Sequence, residues 1–205
     1  MQVNPAKLII ISSPSGAGKT SISRALVEKS DDFRISISAT TRVKRLNETE
    51  AVDYFFKTKH DFDHMVKAHE FLEHAIVFEN SYGTPKDYIA QQLVRNINVV
   101  LDIDWQGAKA IRKQGGYESL SIYILPPSLS VLKKRLESRA MDSQDVILSR
   151  MQKAKSEIRH YHEYDHVVIN DDFQKTLDEI YNIVIGKESV ASPQNFDVFV
   201  KNLLV

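Results

Sequence analysis

The feature that most constrains the fold of this chain is a glycine-containing segment near its N-terminus. An apolar, strand-like run at 9–12 leads into Ser13-Pro14-Ser15-Gly16-Ala17-Gly18-Lys19-Thr20, and a helical pattern begins at Lys19. Glycines in such a loop permit left-handed torsions, and the first N–H groups of the following helix carry partial positive charge. A strand, this loop and a helix predict a phosphate-binding loop in an α/β protein.

The residue types of the loop suit a nucleoside triphosphate. We expect its backbone N–H groups to wrap the β-phosphate, Lys19 to bridge β- and γ-phosphate oxygens, and the Thr20 hydroxyl to bind Mg²⁺. Ser13 stands where the usual pattern has glycine, and it would be strained by about 1 kcal/mol if the site required a positive φ there. The residues of this predicted ATP site are Ser13, Pro14, Ser15, Gly16, Ala17, Gly18, Lys19 and Thr20.

Composition excludes several classes of function. The 205 residues include 27 basic and 27 acidic side chains and no cysteine. A net charge of zero gives no general attraction to nucleic acid or anionic lipid, and a chain without thiols has no disulfides, thiolate zinc sites or cysteine nucleophiles. No apolar run approaches the roughly 18 residues of a membrane span, and no signal-peptide pattern is visible. We therefore expect a cytoplasmic protein that binds neither nucleic acid nor membrane.

Short β-branched runs alternate with longer amphipathic segments, which predicts a parallel sheet covered by helices on both faces. The expected strands are 7–12, 34–38, 97–102, 120–125 and 166–170. The expected helices are about 19–29, 86–95, 106–114, 128–139, 144–162 and 173–185. Ser128 and the Asp171-Asp172 pair are expected at the starts of two of these helices, where a capping oxygen or an acid is favourable.

Two segments depart from this alternation. Residues 38–89 contain a polar, arginine-bearing loop, a strand at 54–56, a short helix near 61–68 and a strand through 72–78, which predicts an inserted α+β lobe. Insertions between core strands usually serve a substrate. Residues 188–205 form a C-terminal tail with an apolar end, and the sequence leaves open whether it packs on the core or on a second subunit.

A second candidate site follows another apolar strand. Val99-Val100-Leu101 is followed by Asp102 and, two residues later, Asp104. In a parallel sheet the ligand crevice lies beyond the carboxyl ends of the strands, and residues two apart share a face, so both acids are expected to face the loop-bound phosphates. Asp102 is expected to hold Mg²⁺ or its waters, and Asp104 to reach a second substrate. The alternative is a strand end whose acids are simply solvated.

At this point the chain resembles the guanylate kinase family, from about residue 8 to about residue 186. The motifs that carry the resemblance, in chain order, are Ser13 to Lys19, Thr40-Thr41-Arg42-Val43-Lys44-Arg45, Asp53-Tyr54-Phe55-Phe56, Phe71-Leu72-Glu73-His74-Ala75, Tyr82-Gly83-Thr84, Leu101-Asp102-Ile103-Asp104-Trp105-Gln106-Gly107, Ile124-Leu125-Pro126-Pro127-Ser128 and Val168-Ile169-Asn170-Asp171-Asp172.

The resemblance implies a P-loop fold of three α/β/α layers with a parallel five-stranded core sheet and an ATP- and Mg²⁺-dependent phosphorylation of GMP, and of dGMP, to the diphosphate. It implies a core at 1–37 and 90–187, a GMP-binding lobe at 38–89 and a helical lid at 139–152. Because GMP phosphate has a second pKa near 6 and is mostly dianionic at pH 7, the transfer is expected to need no protein base.

The resemblance also assigns site residues on the GMP side. It implies that Ser38, Arg42, Arg45, Tyr54 and Tyr82 bind the GMP phosphate, and that Glu73, Thr84 and Asp104, with Gly83 beside them, hold guanine. The chemistry of the base agrees, since guanine presents N1–H and N2–H₂ donors that carboxylates accept and an O6 acceptor that a hydroxyl satisfies. The alternative for the arginines is an ordinary solvated surface, and for the tyrosines a place in the core.

On the ATP side the resemblance implies contacts from Arg135, Arg139, Arg150 and Asn170. Arg135 and Arg139 share one helical face, where like charges repel unless an anion lies between them. The implied catalytic set is Lys19, Arg42, Arg139 and Arg150. Ala140 stands where the family often has glycine, which bears on the flexibility of the lid.

Two other classes of function stay open at this stage. The same lobe could bind a phosphorylated segment of a partner in an interaction module with a decayed ATP site, but Lys19, Thr20 and Asp102 are all present. A P-loop kinase for another nucleotide would share the loop and the arginines, but Glu73 and Asp104 match guanine. The sequence does not decide between a monomer and a homo-oligomer.

Overall fold

The computed structural model describes residues 5–77, 79–138, 144–187 and 193–205. In chain order its strands are β1 (Leu8–Ser12), β2 (Phe33–Ile35), β3 (Ala39–Thr40), β4 (Phe55–Phe56), β5 (Phe71–Val77), β6 (Asn80–Pro85), β7 (Asn98–Asp102), β8 (Ser119–Leu125) and β9 (His166–Ile169). Its helices are α1 (Lys19–Glu28), α2 (Lys59–Lys67), α3 (Lys86–Val94), α4 (Trp105–Gln114), α5 (Leu129–Glu137), α6 (Gln144–Ile158), α7 (Phe173–Val184) and α8 (Asp197–Leu203), with 3₁₀ segments at Arg159–Glu163 and Pro193–Phe196.

Five parallel strands form the central sheet, in the order β2-β7-β1-β8-β9. All five residues of β1 are buried, and alternation sends Leu8 and Ile10 to one face and Ile9 and Ile11 to the other. The first face packs against α3, α4 and α8, and the second against α1 and α7. A strand buried on both faces must be largely apolar, which is why such a run is recognisable in the sequence. The predicted three-layer α/β/α fold is confirmed.

The register of the sheet places the second candidate site beside the first. β1 pairs in parallel with β7, with Ile11 opposite Asp102, and with β8, with Ser12 opposite Tyr123. The phosphate loop begins one residue after β1 ends. Asp102 and the loop therefore lie at the same carboxyl edge, as parallel pairing requires.

The inserted segment forms a second sheet, with strand order β4-β3-β6-β5. Phe62 of α2 stacks on Phe71 of β5 with ring centroids 4.7 Å apart, and with Ala39 they form a small core. The predicted strand at 54–56 and helix near 61–68 are present, and the predicted strand through 72–78 is β5, with residue 78 outside the described residues. The sequence interpretation missed β6, because Asn80–Pro85 is mostly polar and contains a glycine and a proline, a composition typical of a loop.

Several boundaries differ from the predicted ones. β2 ends at Ile35, although the Ser36 N–H continues the pairing to the Val100 carbonyl at 2.9 Å. The helix predicted at 144–162 ends at Ile158 and continues as a 3₁₀ segment. Ser128 and Asp172 cap α5 and α7 as predicted.

The described part of the C-terminal tail, residues 193–205, packs on the core of its own chain. Val200 and Leu203 of α8 are buried in the same cluster as Leu8 and Ile10, and the Tyr161 hydroxyl donates to Asp197. This settles one of the two possibilities that the sequence left open. Among the described residues, no helix combines the length and the apolar character needed to cross a membrane.

Candidate functional site

A cavity of about 580 Å³ lies at the carboxyl edge of the central sheet, between the phosphate loop, the second sheet and α6. Most of the residues singled out from the sequence line it, namely Ser13, Pro14, Ser15, Gly16, Gly18, Lys19, Thr20, Ser38, Arg42, Arg45, Tyr54, Glu73, Tyr82, Asp102, Asp104 and Arg150. Residues 139–143, which include Arg139, Ala140 and the first part of the predicted lid, lie outside the described residues.

The phosphate loop has the backbone geometry that its glycines predicted. Gly16 and Gly18 have φ of 92° and 100°, and α1 begins directly after Gly18. A Cβ at Gly18 would collide with the Asn170 amide, so packing as well as torsion requires glycine there. Ser13 is not among the described non-glycine residues with positive φ, and the strain considered for it therefore does not arise.

Lys19 and Asp102 form an ion pair inside the cavity. The ammonium leaves the first turn of α1 and the carboxylate is the last residue of β7, so the parallel register itself brings them together. Thr20, the next residue of α1, also lines the cavity. The cation expected to meet phosphate is balanced here by an acid of the chain.

Glu157 is a cavity residue that sequence reasoning missed. The Ser15 N–H of the phosphate loop donates to its Oε2 at 3.2 Å. Burial raises the pKa of Glu157 above its ordinary value, although the hydrogen bond from Ser15 opposes this. A signal was available in the helical spacing, since α6 lines the cavity with Val146, Ser149, Arg150, Lys153 and Glu157.

Arg42 is held by a tyrosine and by an acid that was not predicted. Its Nε donates to the Tyr82 hydroxyl at 3.2 Å, its Nη2 donates to Glu48 Oε1 at 2.6 Å, and its guanidinium lies 5.4 Å from the ring centre of Tyr54. Glu48 Oε2 also accepts the Arg45 N–H at 2.8 Å. Burial alone would raise the pKa of Glu48, but its bonds from Arg42 and Arg45 lower it below the ordinary value.

Glu73 is a buried carboxylate at the opposite side of the lobe. It is 7% exposed, and the Thr84 hydroxyl donates to its Oε1 at 2.5 Å. Burial raises the pKa of Glu73 to about 7, with the negative charge of Asp104 adding to the effect and the Thr84 bond opposing it. Thr84 is fully buried and reaches Glu73 rather than the cavity.

Asp104 is oriented by the helix that it precedes. It is the N-cap of α4, where its Oδ1 accepts the Gly107 N–H at 3.0 Å. Its Oδ2 accepts from the Gln106 side-chain amide at 3.0 Å. Two ionisable acids, Glu73 and Asp104, therefore line the same cavity as the phosphate loop.

Comparison with known proteins gives a consistent result. The family model described as guanylate kinase matches residues 5–187. The chain belongs to the guanylate kinase family. It is 49% identical to the guanylate kinase of Rickettsia bellii (strain RML369-C) over 185 residues, which cover 90% of this chain and 96% of that protein. It is 50% identical to the guanylate kinase of Alcanivorax borkumensis over 187 residues, which cover 91% of this chain and 90% of that protein.

A solved structure agrees with the sequence comparisons. The crystal structure of guanylate kinase from Anaplasma phagocytophilum matches with a TM-score of 0.73 and 32% identity, covering 89% of this chain and 86% of that one. As a guanylate kinase family member the chain is a nucleotide-binding kinase, and its reaction is the ATP-dependent phosphorylation of GMP to GDP. The comparisons therefore support a guanylate kinase, and neither an interaction module nor a kinase for another nucleotide.

A few of the family-implied residues lie behind the cavity wall. The Asn170 amide donates to the Ala17 carbonyl at 2.7 Å, and Arg135 donates to the Asn170 carbonyl at 3.0 Å and to the Ala17 carbonyl at 3.5 Å. These contacts support the phosphate loop from its far side, and a direct contact of Arg135 or Asn170 with ATP stays a prediction. Gly83 packs under Phe71, whose ring would lie 2.8 Å from a Cβ there.

Proposed function

We propose that this chain transfers the γ-phosphoryl group of ATP to the phosphate of GMP inside the cavity described above, with ATP on the loop side and GMP on the lobe side. The observation that carries the proposal is the division of that cavity. The phosphate loop lines it with backbone N–H groups and Lys19, the lobe lines it with Arg42, two tyrosines and Glu73, and the core adds Asp104. Two anionic nucleotides placed this way meet phosphate to phosphate.

The site distinguishes guanine from adenine by the hydrogen-bond donors of the base. The N1–H and N2–H₂ groups of guanine are donors, and Glu73 and Asp104 are acceptors that line the cavity. Adenine would present an unprotonated N1, which these acids cannot bind when they are ionised, and would leave carboxylate oxygens without donors, which is costly. Thr84 contributes indirectly, because its hydroxyl fixes one oxygen of Glu73.

The GMP phosphate is bound by the cluster around Arg42. Ser38, Arg42, Arg45, Tyr54 and Tyr82 all line the same wall. Planar guanidinium groups and phenol hydroxyls are the donors that fit a phosphate. Glu48 holds Arg42 in place before the nucleotide arrives.

In the transfer step an oxygen of the GMP phosphate attacks the γ-phosphorus as the bond from that phosphorus to the β–γ bridging oxygen breaks, and ADP leaves. No proton has to be removed by the protein, because the attacking phosphate is already dianionic. Lys19 and Arg150 line the cavity from its two walls and neutralise charge on the transferring group. Arg139 is assigned to the same task from the family resemblance.

The donor set fits Mg²⁺. A hydroxyl and a carboxylate oxygen are ligands that this ion prefers, and Thr20 and Asp102 line the cavity beside the loop. Thr20 and Asp102 would hold the ion directly or through its waters. When bound, Mg²⁺ neutralises phosphate charge.

The division into parts follows the resemblance. We assign GMP binding to the lobe at 38–89, ATP binding to the core at 1–37 and 90–187, and closure over ATP to a lid at 139–152. Phosphorylation of dGMP and residence in the cytoplasm belong to the same proposal, supported by a cysteine-free composition compatible with a reducing compartment. Neither nucleic acid nor a membrane is assigned as a partner.

The test is a coupled assay of ADP release from ATP and Mg²⁺, comparing GMP with AMP, CMP and UMP. Turnover is expected with GMP only. Lys19→Ala is expected to lower kcat by about 10³-fold or more, because a full charge on the transferring group is lost. The control is Lys175→Ala, an exposed lysine of α7 that lies outside the cavity.

Each alternative outcome is distinct. Turnover with AMP at a comparable rate would show that Glu73 and Asp104 do not select guanine. If GMP bound but none of the four nucleotides were phosphorylated, the kinase assignment would be refuted. The interaction module would then be the function to test.

A further inference from the structure

The side chain of Gln106 joins the core of the protein to the lobe. Its Nε2 donates to Asp104 Oδ2 at 3.0 Å and to the backbone carbonyl of Ile76 at 3.3 Å. A primary amide nitrogen carries two hydrogens, so one Gln106 side chain can make both bonds at once. Asp104 precedes α4 in the core, and Ile76 lies in β5 of the lobe sheet. One amide therefore spans the boundary between the two.

On the core side this amide completes the orientation of Asp104. The other oxygen of Asp104 already accepts the Gly107 N–H at 3.0 Å. With one donor on each oxygen, the carboxylate has a defined plane on the first turn of α4, and it retains acceptor capacity for a ligand in the cavity that it lines. Without Gln106, one of these two restraints is lost.

On the lobe side the amide fixes the strand that carries the second acid. Glu73, Ala75 and Val77 of β5 line the cavity, as alternate residues of one strand do. Ile76 is the residue between the last two, and its carbonyl is the acceptor for Gln106. Holding that carbonyl holds the backbone between the cavity-facing side chains.

The next residue contacts Glu73 itself. A Cβ added at Gly107 would lie 2.5 Å from Glu73 Oε2, so the backbone of α4 runs directly against that carboxylate. The Gln106-Gly107 pair thus touches Asp104 on one side and the strand and carboxylate of Glu73 on the other.

We propose that Gln106 is a positioning residue for guanine recognition, which fixes Asp104 relative to the strand of Glu73 so that both carboxylates meet the donor edge of the base. The inference rests on the proposed function, in which these two acids bind guanine. Gln106 does not line the cavity, and its effect on the substrate passes through Asp104 and β5.

The test is steady-state kinetics of Gln106→Leu and Gln106→Glu, the second being nearly isosteric but without the amide hydrogens. GMP is compared with IMP, which retains N1–H and lacks the 2-amino group, and with AMP. Both variants are expected to raise KM for GMP about tenfold and to lower the preference for GMP over IMP by a similar factor, with kcat and KM for ATP within about twofold of the wild type. The matched control is Gln114→Leu, an exposed glutamine at the other end of α4, which should change neither constant.

A double-mutant cycle separates positioning from general stability. In an Asp104→Asn background, Gln106→Leu should raise KM for GMP by clearly less than the tenfold expected in the wild type, because mainly its bond to the Ile76 carbonyl is left to lose. An unchanged GMP-to-IMP preference in Gln106→Leu, or an equal rise of KM for ATP and GMP together with a lower melting temperature, would overturn the inference. A wild-type enzyme that uses AMP as well as GMP would instead refute the proposed guanine recognition itself.

Discussion

Two sets of cavity residues differ in whether their charged and polar groups have a partner of complementary charge within the chain. Among the described groups expected to bind phosphate, here called the phosphate end, three already have an acid of the chain as partner, and the pairs are Lys19 with Asp102, Arg42 with Glu48, and the Ser15 N–H with Glu157. Among the groups expected to bind guanine, here called the base end, Glu73 is buried, accepts a hydrogen bond from the Thr84 hydroxyl and has Asp104 as a like-charged neighbour.

This difference separates two ways of binding a ligand. A phosphate that binds here displaces or joins a carboxylate that is already paired with the cation or N–H group. The electrostatic free energy gained is therefore the difference between two states in which that group has an anionic partner. Guanine binding supplies donors to a carboxylate that is costly to ionise without them. The base end is therefore where proton release and ligand choice are coupled, and substitution and pH can test the contrast with the phosphate end.

The largest effect is expected from Glu73→Gln. The substitution keeps an acceptor for Thr84 but places an amide NH₂ against guanine donors, which should raise KM for GMP about 100-fold. KM for ATP should stay within about twofold, since the phosphate end is untouched. The measurement is initial-rate kinetics with each substrate varied in turn.

The matched control for this substitution is Glu70→Gln, an exposed acid just before the same strand. It should leave both KM values unchanged. A rise of less than about threefold in Glu73→Gln would mean that this carboxylate does not contact the base, and the contrast between the two ends would then fail.

The sequence predicted the strands, helices and loop that form this site, but not all of the side-chain interactions within it. Strands buried on both faces, and a glycine loop after the first of them, have patterns that can be recognised in one chain, and parallel pairing then places Asp102 beside the loop without further information. Glu48 and Glu157 have no comparable pattern. Each is an ordinary acid until the fold brings it within 2.6 Å of Arg42 or 3.2 Å of the Ser15 N–H.

The same limit explains the missed strand and the missed amide. β6 is held by pairing with β5 and β3 rather than by an apolar face, so its polar composition suggested a loop. The motif around Gln106 does not predict its role, because that role depends on a carbonyl thirty positions away in the sequence. Local propensity predicts the elements, and contacts between distant residues are added by the fold.

The next prediction concerns pH at the base end. With the pKa of Glu73 at about 7 in the ligand-free protein, GMP must displace a proton at lower pH, so the apparent Kd for GMP should rise up to about tenfold per pH unit below 7. The measurement is calorimetric titration of the enzyme with GMP from pH 5.5 to 8. Since the GMP phosphate titrates in the same range, Glu73→Gln is the control, and it should retain only the phosphate component.

The same titration should appear in stability. Because the folded pKa of Glu73 lies above its ordinary value of 4.5, the folded state holds a proton that the unfolded state has lost between about pH 4.5 and 7, and the free energy of unfolding should fall across this window by about 3 kcal/mol. Urea unfolding at several pH values measures this loss. A Glu73→Gln protein with the same slope as the wild type would assign the loss to another group.

The smallest effect is expected at the phosphate end, with the opposite sign. Glu48 has a lowered pKa, because its bonds from Arg42 and Arg45 outweigh its burial, so its ionised form stabilises the fold above its ordinary pKa and this contribution is lost as pH falls through the lower, folded value. Glu48→Gln should therefore reduce the free energy of unfolding by about 1 kcal/mol at pH 7 and by less as pH falls towards 3. Urea unfolding beside Glu70→Gln provides the comparison.

At pH 8, Glu73→Gln and Glu48→Gln should change the free energy of unfolding in opposite directions. Glu73→Gln should stabilise the ligand-free fold, because the surroundings of Glu73 disfavour its ionised form, and Glu48→Gln should destabilise it, because the surroundings of Glu48 favour its ionised form. If both substitutions changed the free energy of unfolding in the same direction, the contrast between the phosphate end and the base end would be wrong.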